Sequence, residues 1–209
     1  RALPEAGFTV TGVDLPEVSI SDAEQVAALP WDDIDVVINA AAWTNVDGAE
    51  TPEGRRATWQ ANSTGPAILA REATAHDATM VHISTEYVFD GTQDVHVEDE
   101  APSPLGAYGQ SKAGGDAAVA STPKHYIVRT SWVVGDGKNF LKTMASLAEQ
   151  GTSPSVVSDQ VGRLTFTSDL AKGIIHLLTS QAPFGTYNLS GEGPVMSWAQ
   201  VAKRVFELC

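Results

Sequence analysis

The stretch Asp35 to Ala42, DVVINAAA, is close to a continuous apolar run that ends on three alanines. A strand with one wet face alternates apolar and polar residues. A run that does not alternate reads as a strand covered on both faces, the habit of parallel sheets. Three more runs share this character: FTVTGVD (Phe8 to Asp14), TMVHIST (Thr79 to Thr85) and YIVRTSW (Tyr126 to Trp132). Between them lie helical patterns over Asp22 to Leu29, Pro52 to Ala75 and Ala107 to Ala120. Strand alternating with helix predicts an α/β fold, a doubly wound parallel sheet of the Rossmann-like kind.

After Trp132 the rhythm loosens. A helix is predicted over Asn139 to Gln150, a brief strand at SVVSD (155–159), and a Thr/Ser-capped helix at TSDLAKGIIHLL (167–178). GTYNLSG (185–191) reads as a strand, and Ser197 caps a last helix. This predicts one lobe from 1–132 and 165–190, and a small C-terminal lobe from 133–164 and 191–209. The long polar stretch Phe89 to Gly106 follows a strand directly, which predicts a functional, lid-like loop over a merely solvated one. RALPEAG, at Arg1 to Gly7, reads as the last turn of a helix with a glycine stop. SWAQVAKRVFELC is helical and carries no terminator, so the sequence is expected to be a piece of a longer protein.

Charge and composition exclude several classes. A formal net charge of −13 disfavours nucleic acid and anionic membrane surfaces. It leaves open a locally positive pocket for a phosphorylated ligand. The only cysteine is Cys209, so there is no intrachain disulfide framework, which fits a reducing cytoplasm. No apolar run is long enough to span a bilayer, so no membrane partner is expected. None of His76, His82, His96, His125 and His176 has a metal-ligand spacing, and Asp90, Asp94, Glu98, Asp99 and Glu100 do not form a calcium loop. No metal is expected. His82 reads as a core histidine, and Arg129, inside an apolar strand, as pairing with an acid or a carbonyl.

Ligands of doubly wound sheets bind beyond the carboxyl ends of the strands. Those ends hold Asp14, Asn39 to Thr44, Ser84 and Thr85, and Thr130 to Trp132. Just downstream, YGQSKAGGD sets Tyr108 four residues before Lys112. Four helical residues advance about 6 Å and return to nearly the same face. A phenol has a pKa of about 10. A neighbouring ammonium favours the phenolate, so Lys112 is expected to lower the Tyr108 pKa and ready it for proton transfer. The Thr85 hydroxyl could hold the same substrate oxygen. Trp43 and Trp132 could stack on a base or sugar, or could simply be core.

Longer strings carry a resemblance. INAAAWTNVDGAE, HISTEYVFDG, SPLGAYGQSK, RTSWVVGDGKNFLKTM, VVSDQVGR, SDLA and GTYNLSGEG…SW stand in the order found in dTDP-4-dehydrorhamnose reductases, members of the extended short-chain dehydrogenase/reductase superfamily. The likeness runs from about Val10 to the end. It implies reduction of the C4 ketone of dTDP-4-dehydro-L-rhamnose to dTDP-L-rhamnose by NADPH or NADH. It implies Tyr108 as general acid, Lys112 as holder of the nicotinamide ribose, and Thr85 as partner of the substrate carbonyl. Asp14, Ala40, Ala41, Ala42, Asn62 and Ser84 match cofactor-side positions, with Tyr108 and Lys112. Thr44, Val46, Thr85, Glu86, Tyr87 and Trp132 match positions that line the sugar-nucleotide pocket. A homodimer and a fusion to a 3,5-epimerase domain are both compatible with it.

The sequence also departs from the family pattern. The glycine-rich turn that cradles pyrophosphate should precede Arg1. Glu86 stands for a usual Asp, Ser19 for an Asp, Leu164 for a proline and Asn188 for a frequent histidine. Two alternatives stand beside the reductase. One is a non-catalytic regulatory subunit resembling that of methionine adenosyltransferase, against which the intact Thr85, Tyr108 and Lys112 argue. The other is a reductase or epimerase on a different nucleotide sugar.

Overall fold

The computed structural model describes residues 2–209; the part of the first-helix expectation that falls on Arg1 lies outside the described residues. In chain order the elements are α1 (Ala2–Glu5), α2 (Ala23–Ala27), β1 (Val36–Asn39), α3 (Pro52–Trp59), α4 (Gly65–Ala75), β2 (Thr79–Thr85), α5 (Ala107–Val119), β3 (His125–Thr130), β4 (Val133–Val134), α6 (Phe140–Glu149), β5 (Val161–Gly162), β6 (Thr165–Phe166), α7 (Thr167–Thr179), β7 (Gly185–Asn188), β8 (Met196–Ser197) and α8 (Trp198–Leu208). They divide into two compact units. One comprises Leu3–Arg129 with Ile174–Asn188, the other Thr130–Gly173 with Leu189–Cys209. Among the described residues no helix is long and apolar enough to cross a membrane.

The first unit is built on a four-stranded sheet of order β1-β2-β3-β7. β1 runs parallel to β2, pairing Val36 with Thr79 and Asn39 with His82. β3 runs parallel to β7, pairing Tyr126 with Gly185 and Arg129 with Asn188. The α/β class with a parallel sheet is therefore as the alternating pattern predicts. Val26, Trp31, Leu69, Ala73, Met80, Val119 and Ile127 form the buried core between α2, α4, α5 and the sheet. Each large apolar side chain fully buried here is worth roughly 1.5–3 kcal/mol relative to exposure.

Local chemistry sets the helix starts. The Asp22 carboxylate accepts from the Glu24 and Gln25 amides, and the Thr51 hydroxyl accepts from Gly54 ahead of Pro52. The region 52–75, predicted as one helix, is interrupted by a π-turn over Gln60–Thr64. Pro66 explains it. Proline has no N–H, and its ring clashes with the carbonyl four residues back, here Asn62. The ladder widens instead, and the Gly65 N–H reaches back to the Gln60 carbonyl. α5 exploits the freed carbonyl. An ideal Cβ on Gly115 would lie 2.2 Å from the Asn62 oxygen, and one on Gly109 would lie 2.1 Å from the Tyr87 oxygen. Glycine at these two positions lets the helix approach closely, and that approach places Tyr108 and Lys112.

Two predicted strands are corrected. Phe8–Asp14 forms no strand. Val10 and Val13 are 50% and 49% exposed, because a β-rich composition makes a strand only where a ladder partner exists. SVVSD is likewise irregular; the short strand lies just beyond it, at β5, and the Val157 carbonyl instead accepts from the Ala199 amide at the start of α8. β1 and β3 are also shorter than the apolar runs that announce them.

The second unit has two small ladders. β4 runs parallel to β6, and β5 antiparallel to β8. α6 starts at the Asn139 cap, whose side chain accepts from Lys142, and packs against α8. Ser197 starts α8 with a reciprocal capping box to Gln200. Trp132 has φ +38°, uncommon for a bulky residue. Its indole stacks on that of Trp198, with centroids 3.6 Å apart, and Phe140 tilts against Trp198 at 4.5 Å.

Candidate active site

The carboxyl end of β2 and the first two turns of α5 bring the candidate residues together. Thr85 closes β2 and caps the short 3-10 turn Glu86–Val88. Its Oγ1 accepts from the Tyr87 amide at 3.2 Å and lies 3.4 Å from the Glu86 Oε2. Tyr108 meets this turn with its ring edge-on to Tyr87, centroids 5.7 Å apart. Lys112, one turn later, is 2% exposed, and its Nζ donates to the Ile83 carbonyl at 2.6 Å. Tyr108 therefore neighbours residues 85–87, and Lys112 residues 82–83. The two side chains lie along one strand, on one face of their helix.

The electrostatics correct the sequence expectation. Tyr108 is not lowered but pushed up to about 12, first by burial, then by the carboxyl of Glu86; the Thr85 hydroxyl pulls partly the other way. Burial in turn brings Lys112 down to about 8, with Asp116 opposing. Desolvation of the buried phenol decides the direction, and the lysine is not among the groups that shift it. Burial also lifts Glu86 to about 7, against hydrogen bonds to its own backbone amide and to Thr85. Burial raises Tyr87 as well, helped by Glu86 and Asp47.

The end of β1 forms the neighbouring edge. Beyond Asn39 the backbone runs out along Ala40 and Ala41, both exposed, and half-buried Ala42. Asn62, fully buried, clamps the next residue: its Oδ1 accepts from the Trp43 amide at 2.8 Å, and its Nδ2 donates to the Trp43 carbonyl at 3.1 Å and to the Ser111 Oγ at 3.0 Å. The Ser111 hydroxyl donates to the Tyr108 carbonyl at 2.7 Å. Asn62 thus ties the loop after β1 to the turn that carries Tyr108. The Trp43 indole donates to the Asn45 carbonyl within its own loop. Thr44 and Val46 are exposed, and Tyr87 lies at the rim. Asp14 sits on the irregular segment, where its carboxylate accepts from the Leu15 amide, not at a strand end. Trp132 belongs to the second unit.

One contributor escapes sequence reading. α5 has no side-chain cap of its own at Gly106; the Glu50 Oε1 supplies one by accepting from the Ala107 amide at 2.7 Å. Beneath Lys112 lies a buried set of His82, Asp116 and Arg129, with Arg129 Nε 3.1 Å from the Asp116 Oδ2. His82 as a core histidine and Arg129 as the partner of an acid are as the sequence predicts; that the acid is Asp116 is what the fold adds.

Comparison with known proteins places the chain in a family. The family model described as RmlD substrate binding domain matches residues 1–209. The dTDP-4-dehydrorhamnose reductase of Aggregatibacter actinomycetemcomitans is 35% identical over 213 residues, which cover 96% of this chain and 70% of that protein. That of Mycolicibacterium smegmatis is 38% identical over 208 residues, covering 96% of this chain and 62% of that protein. The crystal structure of the Bacillus anthracis dTDP-4-dehydrorhamnose reductase in complex with NADP superposes with a TM-score of 0.90 at 35% identity, covering 98% of this chain and 73% of that one. The chain thus spans between 62% and 73% of the length of these relatives.

Proposed function

Because the chain belongs to the RmlD substrate binding domain family, we propose that it reduces the C4 ketone of dTDP-4-dehydro-L-rhamnose to dTDP-L-rhamnose, with NADPH or NADH as reductant, in nucleotide-sugar synthesis in the cytoplasm. The observation that carries this reading is the convergence of Thr85, Tyr108 and Lys112 along one strand end. It is the constellation a carbonyl reduction needs, in a chain 35% identical to a reductase of this name.

The residues present fit a nicotinamide cofactor. The Lys112 ammonium carries three donors and gives one to Ile83, which leaves donors for ribose hydroxyls. The exposed Ala40 and Ala41 offer a backbone edge with only methyl groups in the way of a flat ligand. Asp14, Ala42, Asn62 and Ser84 complete the cofactor side of this proposal. When bound, the reduced nicotinamide supplies the hydride that goes to C4.

The protein's own work is to hold the ketone and deliver a proton. The Thr85 hydroxyl and the Tyr108 phenol both address the carbonyl oxygen, where negative charge develops. A phenol held at about 12 keeps its proton through the neutral range. It gives the proton up only when the oxygen becomes a strongly basic alkoxide, which is what an acid for reduction must do. Thr44, Val46, Glu86, Tyr87 and Trp132 are assigned to the sugar nucleotide. The lobe 1–132 with 165–190 is assigned to the dinucleotide, and 133–164 with 191–209 to the substrate.

The test is NADPH oxidation with dTDP-4-dehydro-L-rhamnose. Tyr108→Phe is expected to lower kcat by roughly 10²–10⁴-fold, the contribution of a positioned acid. Undiminished turnover in that variant would remove Tyr108 from the reaction. Absence of turnover in the unmodified protein would remove the reductase reading itself.

A further inference from the structure

We propose that His82 is a positioning residue for Lys112: locked as a neutral imidazole with its proton on Nε2, it keeps Lys112 and Asp116 from pairing and leaves the ammonium free to serve the cofactor. This inference rests on the assignment of Lys112 to the nicotinamide ribose.

The tautomer follows from a chain of hydrogen bonds. His82 is fully buried in the middle of β2. Its Nδ1 lies 3.1 Å from the Asn39 Nδ2. The Asn39 Oδ1 in turn accepts from the Ala41 amide at 3.1 Å. A backbone N–H is always a donor, so the Asn39 oxygen must face Ala41 and its NH₂ must face the histidine. Turning the amide over would set two donors against each other at Ala41. Nδ1 is therefore the acceptor, and a neutral ring must carry its proton on Nε2. Burial, with Lys112 adding to it, holds the His82 pKa well below 6.5, so the ring stays neutral.

The Nε2 proton points between two charges on α5. Nε2 lies 3.8 Å from the Asp116 Oδ1 and 3.5 Å from the Lys112 Nζ. That aspartate oxygen is buried and makes no hydrogen bond among the described residues. Its other oxygen takes the Arg129 Nε at 3.1 Å. Gly115 opens the space for the ring: a Cβ there would come within 3.3 Å of Nε2.

Lys112 and Asp116 stand four residues apart on one helix, the spacing at which a lysine and a carboxylate pair. They do not pair here. The imidazole stands beside both: its Nε2 is 3.8 Å from the Asp116 Oδ1, too long for a hydrogen bond, and with the proton on Nε2 it presents no lone pair to the ammonium 3.5 Å away. Lys112 therefore turns to the Ile83 carbonyl. The groups facing His82 are then Asn39 from β1, Lys112 and Asp116 from α5, and beyond Asp116 the Arg129 guanidinium of β3.

The first test needs no variant. ¹⁵N spectra of the histidine-labelled protein should show His82 as the neutral Nε2–H tautomer, without titration around the ordinary histidine value of 6.5. A proton on Nδ1, or a titrating ring, overturns the proposal. The second test measures NADPH affinity by fluorescence titration against pH. His82→Leu frees Asp116 to capture Lys112; the dissociation constant should rise about tenfold and its basic limb should move up by about one pH unit. His82→Gln, which can accept from Asn39 and donate toward Asp116, should restore both. Unchanged affinity and pH dependence in a folded His82→Leu protein would overturn the positioning role. Lys112→Met is the control for the underlying assignment. If it binds NADPH as well as the unmodified protein, Lys112 does not serve the ribose, while the tautomer measurement stands or falls separately.

Discussion

Thr85 does three things with one hydroxyl. It caps the turn after β2, it neighbours the Glu86 carboxyl, and it draws the Tyr108 pKa down against burial. Thr85→Val keeps the shape of the side chain and removes the oxygen. The Tyr87 amide then loses its acceptor, the Tyr108 pKa rises further, and the substrate oxygen loses one of two donors. Loss of one such donor typically costs 10²–10³-fold in kcat, so roughly a hundredfold fall in NADPH oxidation with the keto sugar is expected. Thr85→Ser should stay within a few-fold, because it keeps the oxygen; a loss as deep as that of the valine variant would mean that the methyl group, not the hydroxyl, matters. Glu86 acts on the same phenol by charge. Its carboxylate, formed on passing about pH 7, holds Tyr108 high. Glu86→Gln should let Tyr108 ionise earlier, moving the basic limb of the pH–rate profile to lower pH; a limb that stays in place would show that Glu86 does not reach Tyr108 electrostatically.

The position of α5 is a matter of backbone contact. At Gly109 a methyl would stand 2.1 Å from the Tyr87 carbonyl oxygen, an atom that cannot swing away as a side chain could. Gly109→Ala should therefore push the helix off β2 and destabilise by about 1–3 kcal/mol, read as a lower midpoint in urea, and should move Tyr108 with it. Gly193→Ala is the matched control: nothing stands within 4 Å of a Cβ there, and its midpoint should be unchanged within about 0.5 kcal/mol. An equal loss in both variants would mean that the contact with the Tyr87 carbonyl is not its cause. α5 itself was legible in the sequence, from Ala107 to its end, because its helical spacing is local. So was the Ser197 cap, which reaches only three residues on. The π-turn at Gln60–Thr64 was signalled by Pro66 but hidden by an otherwise continuous helical pattern. Phe8–Asp14 and SVVSD had strand composition, yet whether a strand forms depends on a partner that local pattern does not name. The Glu50 cap on α5 comes from 57 residues away, and no spacing rule reaches that far. In the site, the spacing of Tyr108 and Lys112 was readable; the direction of the phenol's pKa was not, because burial decided it.

At the scale of the whole molecule, the buried groups that shape the site also shape its stability. Glu86 titrates at about 7 in the folded protein, against an ordinary value of 4.5. Below 4.5 it is protonated whether the chain is folded or not, and it contributes nothing. Between 4.5 and 7 the unfolded chain has lost the proton and the folded one has kept it, so stability falls as pH rises, and above 7 the full cost is present. His82 works in the opposite sense. It is held neutral when folded and charges below 6.5 when unfolded, so it lowers stability on acidification. In the unmodified protein the two slopes oppose each other across mildly acid pH. Glu86→Gln removes one of them. The variant should match the unmodified protein below about pH 4.5 and exceed it above pH 7 by as much as about 2–3 kcal/mol, measured as unfolding free energy in urea across that range. Asp116, also raised by burial, has the sign of Glu86 but is present in both proteins and cancels in the difference. A constant offset across the whole range would mean that the glutamine changes packing, and that Glu86 is already ionised in the folded protein at acid pH.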